Sequence, residues 1–167
     1  MVTLKEGIDL DELDQRILAE LQADGGLSNQ ELAERVGLSP SPCSRRVKAL
    51  EDAGIIKHRV ALLDKRLLGL SLTAIIQISM DRHTADRFEA FENKVRNYPE
   101  VQECHLITGS NADYLLKVVV PDMESYQHFL LDKITRIEGV SGVHSSFVMR
   151  SVSDTTRLPL GYLSQGD

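Results

Sequence analysis

The sequence predicts an α+β chain with a helical N-terminal part and a mixed strand-and-helix C-terminal part. Three observations carry this. Apolar residues recur at helical spacing as far as Leu50, the pattern changes to strict alternation from Leu72, and turn-forming clusters separate the segments. The 167 residues suffice for one ordinary domain or two small ones, and 42% hydrophobic with 26% charged residues is the balance of a soluble globular protein.

Asp11 to Ala23 places Leu13, Ile17, Leu18 and Leu21 at helical spacing, with acidic residues at its start where the helix dipole favours them, and Asp24-Gly25-Gly26 stops it. Ser28-Asn29-Gln30-Glu31 has the form of a capping box, opening a second helix with Leu32, Ala33 and Val36 as its apolar face. Gly37 ends that helix at a position that often needs a left-handed backbone. A third helix follows, capped by Ser39 or Ser41 on either side of Pro40, and closes at Gly54. On it Cys43, Val47 and Leu50 form an apolar stripe, while Ser41, Ser44, Arg45 and Lys48 line the opposite side.

Two helices, a tight glycine turn and a longer helix with hydroxyls and cations on one face make a helix-turn-helix, whose second helix suits the major groove. Between Pro40 and Val60, Arg45, Arg46, Lys48, Lys57 and Arg59 face only Glu51 and Asp52, so a basic patch survives in a chain of net charge -6. Residues 55–58 and 60–64 are β-branched enough for a small two-stranded wing. In a wing Lys57, His58 and Arg59 would meet phosphates; in a plain turn they would be solvated. The DNA-binding part is expected at residues 1–65, with a linker at 66–70.

Leu72 to Met80 alternates as a strand with one buried face. Ala85 to Asn97 is a helix with Phe88, Phe91 and Val95 on one face, ended by Pro99. Val101–Thr108 and Tyr114–Val120 are strands joined by Gly109-Ser110-Asn111-Ala112-Asp113. Met123 to Ile137 is a helix with Met123, Tyr126, Leu130 and Ile134 inward, and Val140 to Ser151 is the last strand. The order β-α-β-β-α-β over residues 71–153 is that of a ferredoxin-like sandwich, with both helices on one sheet face. Ile75, Ile107, Leu115, Val119 and Val148 fall on the other face, which dimerisation would cover. Residues 154–167 form a tail whose first half would add an edge strand or pack on a neighbour.

Several classes are excluded. No run approaches a membrane span and no signal core follows the N-terminus, which points to the cytoplasm. Cys43 and Cys104 form no metal-binding or disulfide pattern and are expected to be buried. The histidines at 58, 83, 105, 128 and 144 are scattered, and no phosphate-binding glycine loop or nucleophile–base pair appears, so no enzyme activity, cofactor or metal is expected.

The runs LDQRILAELQADGGLSNQELAERVGLSPSPCSRRVKALEDAGII, VALLD, PEVQECHLITGSNADYLLKVVVPDM and GVSGVHSSF, spread over residues 10–160, resemble the Lrp/AsnC family of bacterial and archaeal transcription regulators. The resemblance implies a nucleoid-associated regulator of amino-acid metabolism genes that binds double-stranded DNA, senses an amino acid between dimers, and assembles from homodimers to tetramers or octamers. It assigns DNA contact to Ser41, Ser44, Arg45, Arg46 and Lys48. It assigns the effector cleft to Thr108, Gly109, Ser110, Asn111, Ala112, Asp113 and Tyr114, with Ser145 and Ser146 on the last strand. Amides around Gly109 would bind the effector's carboxylate and Asp113 its ammonium. The family's commoner loop has two residues between the glycine and the Asp-Tyr pair; here there are three. The alternatives are a DNA-organising regulator that needs no effector, and an amino-acid-sensing interaction protein with no DNA role.

Overall fold

The computed structural model describes residues 2–3, 9–109 and 111–164, and the chain divides into two compact units, Met1–Leu62 with Ser153–Asp167, and Leu63–Val152.

In the first unit β1 (Val2–Thr3) pairs antiparallel with β2 (Asp9–Leu10) ahead of three helices: α1 (Glu12–Ala23), α2 (Asn29–Val36) and α3 (Pro40–Asp52). The acidic start of α1 is itself a capping box. The Asp14 amide donates to the Asp11 carboxylate at 2.9 Å, and the Asp11 amide donates to Asp14 at 3.2 Å. The Ser28–Glu31 box is also present, with the Glu31 amide donating to Ser28 Oγ at 3.2 Å and the Ser28 amide to Glu31 Oε2 at 2.9 Å. Gly37 closes α2 at φ 76°, a conformation that strains any residue with a Cβ. Ser39 is the N-cap of α3 and Pro40 its first residue, where a missing amide hydrogen costs nothing. Ile17, Leu32, Ala33, Cys43 and Leu50 meet in one core with Leu10, Leu18, Leu27, Val36 and Val47.

No wing forms. Ile55 and Ile56 turn back onto the core, both amides donating to the Leu50 carbonyl, but residues 57–64 pair with no strand among the described residues. Lys57-His58-Arg59 contains no residue suited to reversing the chain, so no hairpin closes and Val60 and Leu62 are exposed.

The second unit contains β3 (Leu72–Met80), α4 (Ala85–Val95), β4 (Val101–Leu106), β5 (Tyr114–Val120), α5 (Met123–His128) and β6 (Val140–Phe147). The antiparallel strand order is β4-β5-β3-β6, the ferredoxin-like arrangement. Ile76, Ile78, Leu116, Val118 and Phe91 build its core. After α5 the helix widens into a π-helical stretch, Phe129–Ile134. This corrects the expected inward set: Phe129 and Ile134, five residues apart, are both buried by the wider turn, whereas Met123 is exposed.

On the helix-free sheet face, register places Ile75, Leu115, Val119, Ile107 and Val148 together as expected. The same face also carries Gln77, His144, Ser146 and the cluster Lys117–Glu103–His105, in which Lys117 Nζ lies 2.9 Å from Glu103. It is therefore a mixed surface. Cys43 is buried but Cys104 is exposed, because it lies on edge strand β4.

Phe91 is fully enclosed, so Phe91→Ala is expected to lower stability by about 3–5 kcal/mol, read as a shift in the urea midpoint of the second unit.

Candidate nucleic-acid interface and effector loop

Each residue of a helix advances about 100°, so Ser41, Ser44, Arg45 and Lys48 share one side of α3, and all four are exposed. The core residues Cys43, Val47 and Leu50 fix that orientation from behind, and the Asn29 side-chain amide donates to the Pro40 carbonyl at 2.8 Å, tying the start of α2 to the start of α3. Among the described residues no ion pair engages Arg45, Lys48 or Lys57.

Arg46 is different. It lies off the exposed side, and its Nη1 meets Asp11 Oδ2 and Asp14 Oδ1, each at 2.8 Å. The guanidinium is held by the two carboxylates of the α1 capping box, so Arg46, expected as a DNA contact, ties α3 to the start of α1 and does not stand free like Arg45. The Asp14 amide, and then Arg46, hold the Asp11 carboxyl below its usual range. Arg59 is likewise paired, 3.1 Å from Glu51, whereas Lys57 has no ion pair among the described residues.

In the second unit the hairpin between β4 and β5 is anchored at its base. The Ile107 amide donates to the Asp113 carbonyl and the Asp113 amide to the Ile78 carbonyl, both at 2.8 Å, while Ser79 Oγ donates to the Asn111 carbonyl at 2.9 Å. The tip is left open: Thr108, Gly109 and Asn111 are exposed, and Gly109 adopts φ 87°. Ser110 lies outside the described residues.

Three expected effector residues are engaged within the protein. Asp113 is 18% exposed and both its oxygens are engaged, Oδ2 by the Met80 amide at 2.7 Å and Oδ1 by His83 Nε2 at 2.8 Å, so it clamps the loop to β3. Tyr114 is enclosed between Phe88 and Phe91, with its hydroxyl donating to Glu92 at 2.8 Å, and burial raises its phenol pKa well above the ordinary value. Ser145 faces the helix layer, bonded to the Tyr126 hydroxyl, whereas Ser146 lies on the opposite face. Ala112 is buried. The structure thus brings Thr108, Gly109 and Asn111 together at the tip and sets Ser145 and Ser146 apart on β6. His83 had no signal in the sequence beyond being one of five scattered histidines.

The family models for a winged helix-turn-helix DNA-binding domain and for the Lrp/AsnC ligand binding domain match residues 10–57 and 73–158. The chain belongs to the Lrp/AsnC family. It is 45% identical over 154 residues to the leucine-responsive regulatory protein of Escherichia coli K12, covering 92% of this chain and 93% of that one. A transcriptional regulator from Neisseria meningitidis, solved as a complex with L-Met, is 46% identical with a TM-score of 0.89, covering 93% of this chain and 99% of that one. An AsnC family regulator from Agrobacterium tumefaciens is 40% identical with a TM-score of 0.87, covering 92% and 99%. This Lrp/AsnC protein is accordingly a DNA-binding transcriptional regulator and not an enzyme. Among its described residues no helix is long and apolar enough to cross a membrane.

Arg46→Ala is expected to lower the stability of the first unit by about 1 kcal/mol at neutral pH. A carboxyl whose pKa is lowered on folding stabilises the protein above its unfolded value of 3.8 and loses that contribution as pH falls below it. Thermal melts from pH 7 down through that value should therefore show a shallower acid loss in Arg46→Ala than in the parent.

Proposed function

We propose that this regulator reads operator DNA with the Ser41–Ser44–Arg45–Lys48 side of α3 and is controlled by a free amino acid bound at the Thr108–Asn111 hairpin tip. The exposed side of α3 carries the first half of the reading. Its hydroxyls lie near the helix start and its unpaired cations further along, the order suited to base edges first and phosphates beyond. Lys57 adds a phosphate contact, and Arg46 and Arg59 act within the protein.

The second half is supported by the relatives, one named as leucine-responsive and one solved with L-Met, and by the hairpin itself. An anchored base and an open tip with a left-handed glycine offer backbone groups to a carboxylate or an ammonium without reorganisation. Asp113 serves this site by fixing the loop. The working unit is a homodimer joined through the helix-free sheet face, assembling further, in the bacterial or archaeal cytoplasm at the nucleoid. An effector shared between dimers shifts assembly by its differential affinity, about 1–3 kcal/mol being enough, and so changes how many half-sites near amino-acid metabolism genes are held together.

One observation favours the reading in which no effector acts: both oxygens of Asp113 are already occupied, within a loop of three intervening residues. L-leucine and L-methionine separate the two. On the main reading one of them raises the melting temperature by mass action and changes operator affinity, and Gly109→Ala, strained at φ 87°, loses both responses. A flat response to all twenty amino acids in both assays leaves the effector-independent regulator.

A further inference from the structure

The C-terminal segment does not extend the sheet. Strand β6 ends at Phe147, and from Ser153 the chain belongs to the first unit. There the side-chain amide of Gln22, on α1, forms a two-point clasp with the backbone of Leu158: Oε1 accepts from the Leu158 amide at 2.7 Å, and Nε2 donates to the Leu158 carbonyl at 3.3 Å. This is the pattern of a strand pair, made by one side chain. The Leu158 side chain remains outside at 70% exposure, so its backbone is what is bound. Pro159 then breaks the extended run, and the turn Leu160–Ser164 places Leu160 and Leu163 against the core of α1, α2 and α3.

The segment borders a groove of about 550 Å³ in which Thr156, Leu158 and Leu160 face Leu18, Leu21, Ile55, Ile56 and Leu62. Such a surface makes physical sense in so small a domain. Three short helices bury a modest core, and domains near 60 residues gain much from each added apolar contact. Because this segment follows directly from β6, the chain passes between the two units twice, after Leu62 and after Val152.

We propose that the surface formed by α1 and Ile55–Leu62 is a receptor for this chain's own segment Thr156–Leu163, and that full operator affinity requires the segment to be docked. The segment is a working part of the DNA-binding unit, although it lies at the far end of the sequence and partly inside the stretch that matches the ligand-binding family model. Docking steadies α1, α1 holds Arg46 through Asp11 and Asp14, and Arg46 orients the reading helix. The second covalent passage gives the sensing unit a connection to the reading helix besides the 57–70 segment.

Hydrogen exchange and operator titration of the full-length protein test this, using Leu160→Asp, Gln22→Leu and, as a control at the last residue of the second unit, Val152→Asp at a residue 87% exposed. The proposal expects α1 amides to exchange about tenfold faster in Leu160→Asp and less so in Gln22→Leu, with operator affinity falling in the same order. Amides of β3 and β5 should be unchanged, and Val152→Asp should match the parent. The proposal is overturned if α1 protection and operator affinity are unaltered in both docking variants, or if β3 and β5 lose protection as much as α1.

Discussion

The contact on which the reading face depends is the pairing of Arg46 with Asp11 and Asp14. Those carboxylates already satisfy each other's backbone amides at the start of α1, so the guanidinium grips groups that are themselves fixed. A flexible arginine becomes a strut that supplements the rotation about its own axis which the buried Cys43, Val47 and Leu50 impose on α3. That rotation decides which side chains face outward. With Arg46 turned to α1, the neighbouring Arg45 and Lys48 are presented without internal competitors, and the positive field of an otherwise acidic chain is concentrated on one helix side.

The sensing unit applies the same rule to a loop. Asp113 has both oxygens engaged, by His83 and by the Met80 amide. The fixed base leaves an exposed tip, which on the proposed reading need not reorganise when an effector binds. In each unit a charged residue that the sequence offers as a contact, Arg46 for DNA and Asp113 for a ligand, is engaged by groups of the protein itself. On the proposed reading, recognition falls to the groups that are exposed and without an ion pair.

Much of this was legible in the sequence. The helix-turn-helix follows from Ser28–Glu31, Gly37 and the stripe Cys43, Val47, Leu50, and the ferredoxin-like order follows from the alternation after Leu72, because both patterns are local. What escaped depends on contacts between residues distant in sequence. Nothing local distinguishes Arg46 from Arg45 until α1 is packed beside α3. The wing was inferred from β-branched composition, which reports strand propensity but not whether a turn exists to reverse the chain. A regular helical period puts Met123 inward with Tyr126, but as the first residue of α5 it is exposed, and nothing local in the sequence reports that His83 pairs with Asp113 or that Glu92 and two aromatic rings engage Tyr114. The docking of Leu158 on Gln22 spans 136 residues and left no periodic trace.

The most direct measurement is the salt dependence of operator binding, because each phosphate contact contributes about one unit of slope to the logarithm of affinity against the logarithm of salt concentration. If the exposed side of α3 carries the contacts, replacing Arg45 and Lys48 with alanine reduces that slope by about two, whereas Arg46→Ala leaves it unchanged. An unaltered slope in the double variant, or an equal loss in Arg46→Ala, would contradict the account.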